Sequence, residues 1–113
     1  MKNEKPEGIA EFPLTENSAR KIINDLAENH TNRIRWSSHV KDQLRARGVT
    51  STQIYTLLKS KRSVFREGPY QVPSGEWNFN VKGMASGDHI ELVVSLKNHD
   101  FDPRAKLVTV WIK

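Results

Sequence analysis

Apolar residues recur along this chain with two different periods, and the change between them divides it into a helical half and a strand half. Ala19, Ile22, Ile23, Leu26 and Ala27 stand three and four residues apart, the spacing of one buried helix face. Thr15 precedes them as an N-cap, and Asn29 and His30 close the run, which predicts a first helix over about 16–29. Arg33-Ile34-Arg35-Trp36 alternates over too few residues to be more than a bridge. Ser37 or Ser38 caps a second helix over about 38–47. Gly48, able to take the left-handed conformation, ends it. Thr50 or Ser51 then caps a third helix that buries Ile54, Leu57 and Leu58.

Beyond residue 62 the period becomes two. In Glu76-Trp77-Asn78-Phe79-Asn80-Val81-Lys82 the apolar residues share one face and the polar residues the other, as a half-buried strand requires. Ser63 to Val72 is a weaker strand interrupted by Gly68-Pro69, joined to the next by the Pro73-Ser74-Gly75 turn. Gly83 to Asp88 reads as a turn. His89 to Lys97 follows as a strand with Ile90, Leu92, Val94 and Leu96 inward, then a polar loop from Asn98 to Arg104, and a β-branched strand from Ala105 to Lys113. Strands joined by short turns pair antiparallel, and helices grouped at one end of a sequence pack on one face of the sheet. The expected class is α+β, with two to three N-terminal helices on one face of an antiparallel sheet of about four strands. Residues 1–13, with two prolines and no periodicity, read as a flexible arm that is mobile or lies across the body, and residues 14–113 as one domain. The opposite sheet face carries Glu76, Asn78, Asn80, Lys82, His89, Glu91 and Ser95, a potential polar working surface.

The 113 residues are 36% hydrophobic and 27% charged, which suits one folded domain and excludes wholesale disorder. No apolar run approaches the roughly 18 residues of a membrane span, and the N-terminus has no apolar signal core. A cytoplasmic protein with no membrane association is expected. The absence of cysteine excludes disulfides and thiolate zinc sites, zinc fingers included. Charge changes the picture more. Eighteen Lys and Arg against thirteen Asp and Glu give +5 and a pI near 9.7, which favours polyanionic partners through counterion release, although a basic surface also serves solubility. The cations concentrate in the middle of the chain, at Arg33, Arg35, Lys41, Arg45, Arg47, Lys59, Lys61, Arg62 and Arg66.

At about 100° per residue, Val40 and Leu44 of the second helix point one way while His39, Gln43 and Arg47 form a stripe beside them. A histidine and an arginine on one rigid element suit phosphodiester cleavage: the imidazole moves a proton near neutral pH and the guanidinium binds charge developing on phosphate oxygens. RNA brings its own nucleophile, the 2′-hydroxyl, so the reaction needs no metal and no protein nucleophile. By spacing alone, a histidine beside an apolar face is more often structural, and an arginine at a helix end often answers the dipole. The Gly48 turn between two short helices also raises a helix-turn-helix reading, but STQIYTLLKSK devotes its body to packing and offers few base-reading side chains. His89, Asn78, Asn80 and Lys82 are solvated strand residues first and ligands second. Trp36, Trp77 and Trp111 each have a ready core role. No spacing of histidines and carboxylates suits a metal, and no phosphate loop or nucleophile elbow is present, so neither metal nor cofactor is expected.

The segment Ser37-Ser38-His39-Val40-Lys41-Asp42-Gln43-Leu44-Arg45-Ala46-Arg47-Gly48-Val49, followed by a helix, a hairpin, Leu92-Val93-Val94 and Val108-Thr109-Val110-Trp111, resembles a bacterial family of uncharacterised small domains that looks related to the BrnT and RelE toxins. The resemblance covers about residues 33–113. It implies a RelE-like α+β fold, metal-independent endoribonuclease activity of a toxin-antitoxin pair, and as partners RNA and a cognate antitoxin, with the ribosome a further candidate. His39 and Arg47 match the family's helix motif. Gln43 stands where the family usually has an arginine; Arg45 is the nearest substitute for that charge, although it points about 160° away from Gln43 on an ideal helix. His39, Arg47 and Arg45 are thus the catalytic candidates, and Gln43, Lys41, Lys82, His89, Asn78 and Lys113 the substrate-binding ones.

Overall fold

A computed structural model describes residue 6 and residues 8–112. Lys113 and most of residues 1–7 lie outside the described residues. The elements are α1 (Glu16–Asn29), a 3-10 turn (Thr31–Arg33), β1 (Ile34–Trp36), α2 (Ser38–Arg47), α3 (Ser51–Lys59), β2 (Val64–Gln71), β3 (Trp77–Ala85), β4 (Asp88–Lys97) and β5 (Arg104–Ile112). The class is α+β, and the helix starts follow from local chemistry. The side-chain oxygens of Thr15, Ser37 and Thr50 each accept a hydrogen bond from a first-turn amide, and Gln53 completes a capping box with Thr50. Gly48 ends α2 at φ 69°.

The sheet has five strands in the order β1-β5-β4-β3-β2 and is mixed rather than antiparallel throughout. Residues 34–36, expected as a bridge, are a strand that pairs parallel with β5, Ile34 opposite Ala105 and Trp36 opposite Leu107. Three residues carry no readable period, and their pairing partner lies some seventy positions away, so only the tertiary fold creates this strand. The expected turn at 83–88 is also corrected. β3 and β4 pair as far as Ala85 and Asp88, and the turn is only Ser86-Gly87, both with positive φ (51° and 85°), the geometry that tight hairpins favour. Gly83 is a strand residue: a Cβ there would lie 2.7 Å from Leu57 Cδ1, so this glycine admits α3 close to the sheet rather than turning the chain. At Gly68 (φ 80°) the β2 pairing shifts register while the strand continues to Gln71.

One sheet face is apolar. Phe79, Val81, Ile90, Leu92, Val94, Leu96 and Leu107 are buried there, and Ile22, Ile23, Leu26, Ile54, Leu57 and Leu58 of α1 and α3 complete the same core. α2 contributes less, burying only Val40 fully, and packs along β5. Of the segment read as a flexible arm, residues 8–13 lie across the body: the Ile9 amide donates to the His99 carbonyl (2.8 Å), His99 Nε2 sits 2.9 Å from the Glu11 carbonyl oxygen, and a Cβ on Gly8 would overlap the Asp100 backbone. Trp77 is in the core and Trp36 meets Tyr55 edge-on with its indole N–H 3.3 Å from the phenol oxygen, but Trp111 is 37% exposed on the opposite face. Its place opposite Glu91 in the register sets it among the polar residues. Among the described residues, no helix is long and apolar enough to cross a membrane.

Candidate functional site

β1 is much shorter than β5, so beyond Leu107 the outer edge of β5 has no strand neighbour. α2 fills that gap. Ser37 directs its hydroxyl to the Val108 carbonyl (3.4 Å), and the Val110 N–H donates to Gln43 Oε1 (3.0 Å). Val110 is fully buried, so without Gln43 its amide would face neither strand nor water. The carboxamide placed in the middle of the His39, Gln43, Arg47 stripe is therefore a clamp between helix and sheet edge.

His39 and Arg47 flank that clamp on the same side of α2, and both are exposed. Lys41 and Arg45 are exposed as well, and Arg45 pairs with Asp42 at 3.0 Å with both side chains about three-quarters exposed, a contact worth little in water. The helix thus offers an imidazole and a guanidinium held in fixed relation by a rigid backbone. It holds no carboxylate partner for His39 among the described residues.

The outer sheet face gathers the other candidates. Cross-strand register places Arg35, Lys106, Ser95, Asn78 and Tyr70 in one row over all five strands. A second row runs Trp111, Glu91, Lys82, Val64, and His89 with Met84 lies beyond it. Lys82 and His89 are exposed and Asn78 is half-buried. Lys82 and His89 therefore share a face with Asn78 but stand rows away from it, and α2's residues meet the sheet at β5's edge. Three residues of the expected working surface are buried instead. Glu91 is fully so, its Oε2 receiving Arg66 (3.3 Å) and Asn80 (3.1 Å), while Ser95 donates to Glu76 Oε1 (2.8 Å). A carboxylate removed from water needs such donors, and it lines a 350 Å³ hollow with Arg66, Trp111 and Ile112.

Sequence reasoning left the most basic part of this face unassigned. Arg35, Lys97, Arg104 and Lys106 line a 400 Å³ groove with Glu76, Ser95, Asn98 and Ala105. The readable signal was a cation at the polar phase of each strand, as in Arg104-Ala105-Lys106 and Ile34-Arg35-Trp36. Their convergence depends on β1 joining β5. Among the described residues no group of three or more His, Asp and Glu side chains is placed to hold a metal ion. No family model, curated protein or solved structure matches this chain.

Proposed function

We propose that this protein is a toxin-type, metal-independent endoribonuclease of the BrnT/RelE kind, restrained by a cognate antitoxin. The observation that carries the reading is the exposed His39 and Arg47 pair, held on either side of the Gln43 clamp. In the reaction the 2′-oxygen of the substrate attacks the adjacent phosphorus as His39 takes the 2′-hydroxyl proton. The new 2′-O–P bond forms as the P–O5′ bond breaks, and the 5′-oxygen leaves with a proton from solvent. Arg47 holds the non-bridging oxygens, where negative charge grows, and Lys41 adds to the field. The products are a 2′,3′-cyclic phosphate and a 5′-hydroxyl.

A second reading, a binding module of the same fold without catalysis, is favoured by one observation. Gln43 replaces an expected arginine, and its oxygen is engaged by Val110, so the central position of the stripe brings no charge to the phosphate. Incubating labelled mixed-sequence RNA with the protein in EDTA separates the two. Cyclic-phosphate ends that vanish in His39→Ala and Arg47→Ala support the ribonuclease, whereas intact RNA at high protein concentration moves the assignment to the binding module.

A further inference from the structure

We infer that the groove lined by Arg35, Lys97, Arg104 and Lys106 is a binding site for the phosphate backbone of single-stranded RNA, separate from the α2 pair. This rests on the RNA part of the proposed function and is independent of cleavage. The groove occupies 400 Å³ at the β1-β5-β4 end of the outer sheet face. All four cations are exposed. Of these four, only Arg104 is in an ion pair among the described residues, at 3.4 Å from an Asp102 that also binds Arg33 at 3.0 Å. Glu76, the one carboxylate lining the groove among the described residues, accepts from Ser95 and offsets one of the positive charges. With Arg104 paired to Asp102 and one carboxylate facing the other three cations, the groove keeps an excess of positive charge, which is unfavourable until an anion arrives.

The neighbours of the cations select the class of anion. Among the described residues Ala105 is the single apolar one lining the groove, so an acidic helix would find no seam for its apolar face. The row that starts at Arg35 and Lys106 continues through Ser95 and Asn78 to Tyr70, 47% exposed on the far strand. At about 4.8 Å per strand the row spans about 19 Å. It passes from positive charge, through hydrogen-bonding groups, to an aromatic ring. Phosphates on the cations and a base on Tyr70 use all three, as single-stranded nucleic acid does on an open sheet. Lys106 is four residues from Val110, or about 13 Å along β5, so the cation end of the row lies within a few nucleotides of the α2 edge.

The test measures binding of a labelled, unstructured RNA oligonucleotide in EDTA, with His39→Ala present throughout so that the ligand survives. Adding Lys97→Ala and Lys106→Ala removes two phosphate contacts. The log–log salt slope is expected to flatten by about 1.4, and affinity near ~0.1 M salt to fall about 25-fold, at the coefficient for single strands. Lys59→Ala with Lys61→Ala removes the same charge outside the groove and is expected to leave the slope within experimental error. Unchanged binding in the groove variant overturns the inference, as does an equal loss in the control, which would mean that net charge alone attracts RNA. Poly-glutamate bound in the groove more tightly than RNA also overturns it and assigns the groove to an acidic protein. RNA that is bound, released by the groove substitutions, and left intact by the protein with His39 in place supports the groove while refuting the ribonuclease.

Discussion

Replacing Gln43 with alanine removes the acceptor for a backbone amide that no strand reaches. Val110 is fully buried and its N–H points to the open edge of β5, where Gln43 Oε1 lies 3.0 Å away. Leaving such a donor unsatisfied costs about 1–3 kcal/mol. At about 4 °C per kcal/mol for a domain of this size, thermal unfolding followed by circular dichroism should shift down by about 4–12 °C. Gln43→Glu keeps a side-chain oxygen of the same reach and should recover most of the loss above the glutamate's pKa. The amide of Val110 should also exchange faster with solvent in the alanine variant, read by hydrogen exchange. A Gln43→Ala protein that melts with wild type and protects Val110 equally would refute the clamp and return Gln43 to the role of a free polar side chain.

Gly68→Ala should destabilise by at least about 2 kcal/mol, because it adds left-handed strain to a Cβ only 2.5 Å from the Asn78 carbonyl oxygen at φ 80°; denaturant titration would show it, and an unchanged midpoint would argue against the bulge. Arg66→Ala takes one donor from the buried Glu91 carboxylate, and with the arginine half-exposed to screening solvent the expected loss is about 1–2 kcal/mol in the same titration. Thr50→Ala breaks the capping box of α3 and should cost about 1 kcal/mol, with Thr50→Ser costing less. Glu11 is held below the usual carboxylate range, first by the Thr15 amide and then by the Ser18 side chain, with His99 adding attraction. A depressed folded-state pKa stabilises above the unfolded value and is lost as pH falls through the folded one, so the Thr15 amide should lose exchange protection in acid, and Glu11→Gln should remove that dependence.

Much of the fold was legible because it is written in local chemistry. The helix boundaries followed, to within a residue, from Thr15, the Ser37-Ser38 and Thr50-Ser51 pairs and Gly48, whose capping acts within one turn, and the buried face of β4 followed from strict alternation at Ile90, Leu92, Val94 and Leu96. The α2 stripe was legible for the same reason, since helical geometry alone places His39, Gln43 and Arg47 side by side. What a stripe does is another matter, because only its neighbour across space decides that. Gln43 reads equally well as a phosphate ligand until the unpaired amide of Val110 is beside it. Gly83 reads as a turn until Leu57 is packed on it.

The sequence by itself determined the α+β class, the helix ends, the apolar face of the sheet and the basic character of the surface, because each depends on residues within a turn or a strand of one another. The tertiary structure alone decided that Ile34–Trp36 is a strand, that α2 seals the edge of β5, that Glu91 is buried and Trp111 exposed, and that Arg35, Lys97, Arg104 and Lys106 share one groove. These features join residues up to some seventy positions apart. Such pairings are selected by what remains unsatisfied once the local elements have formed, an open strand edge and an uncovered face, and no local pattern records them.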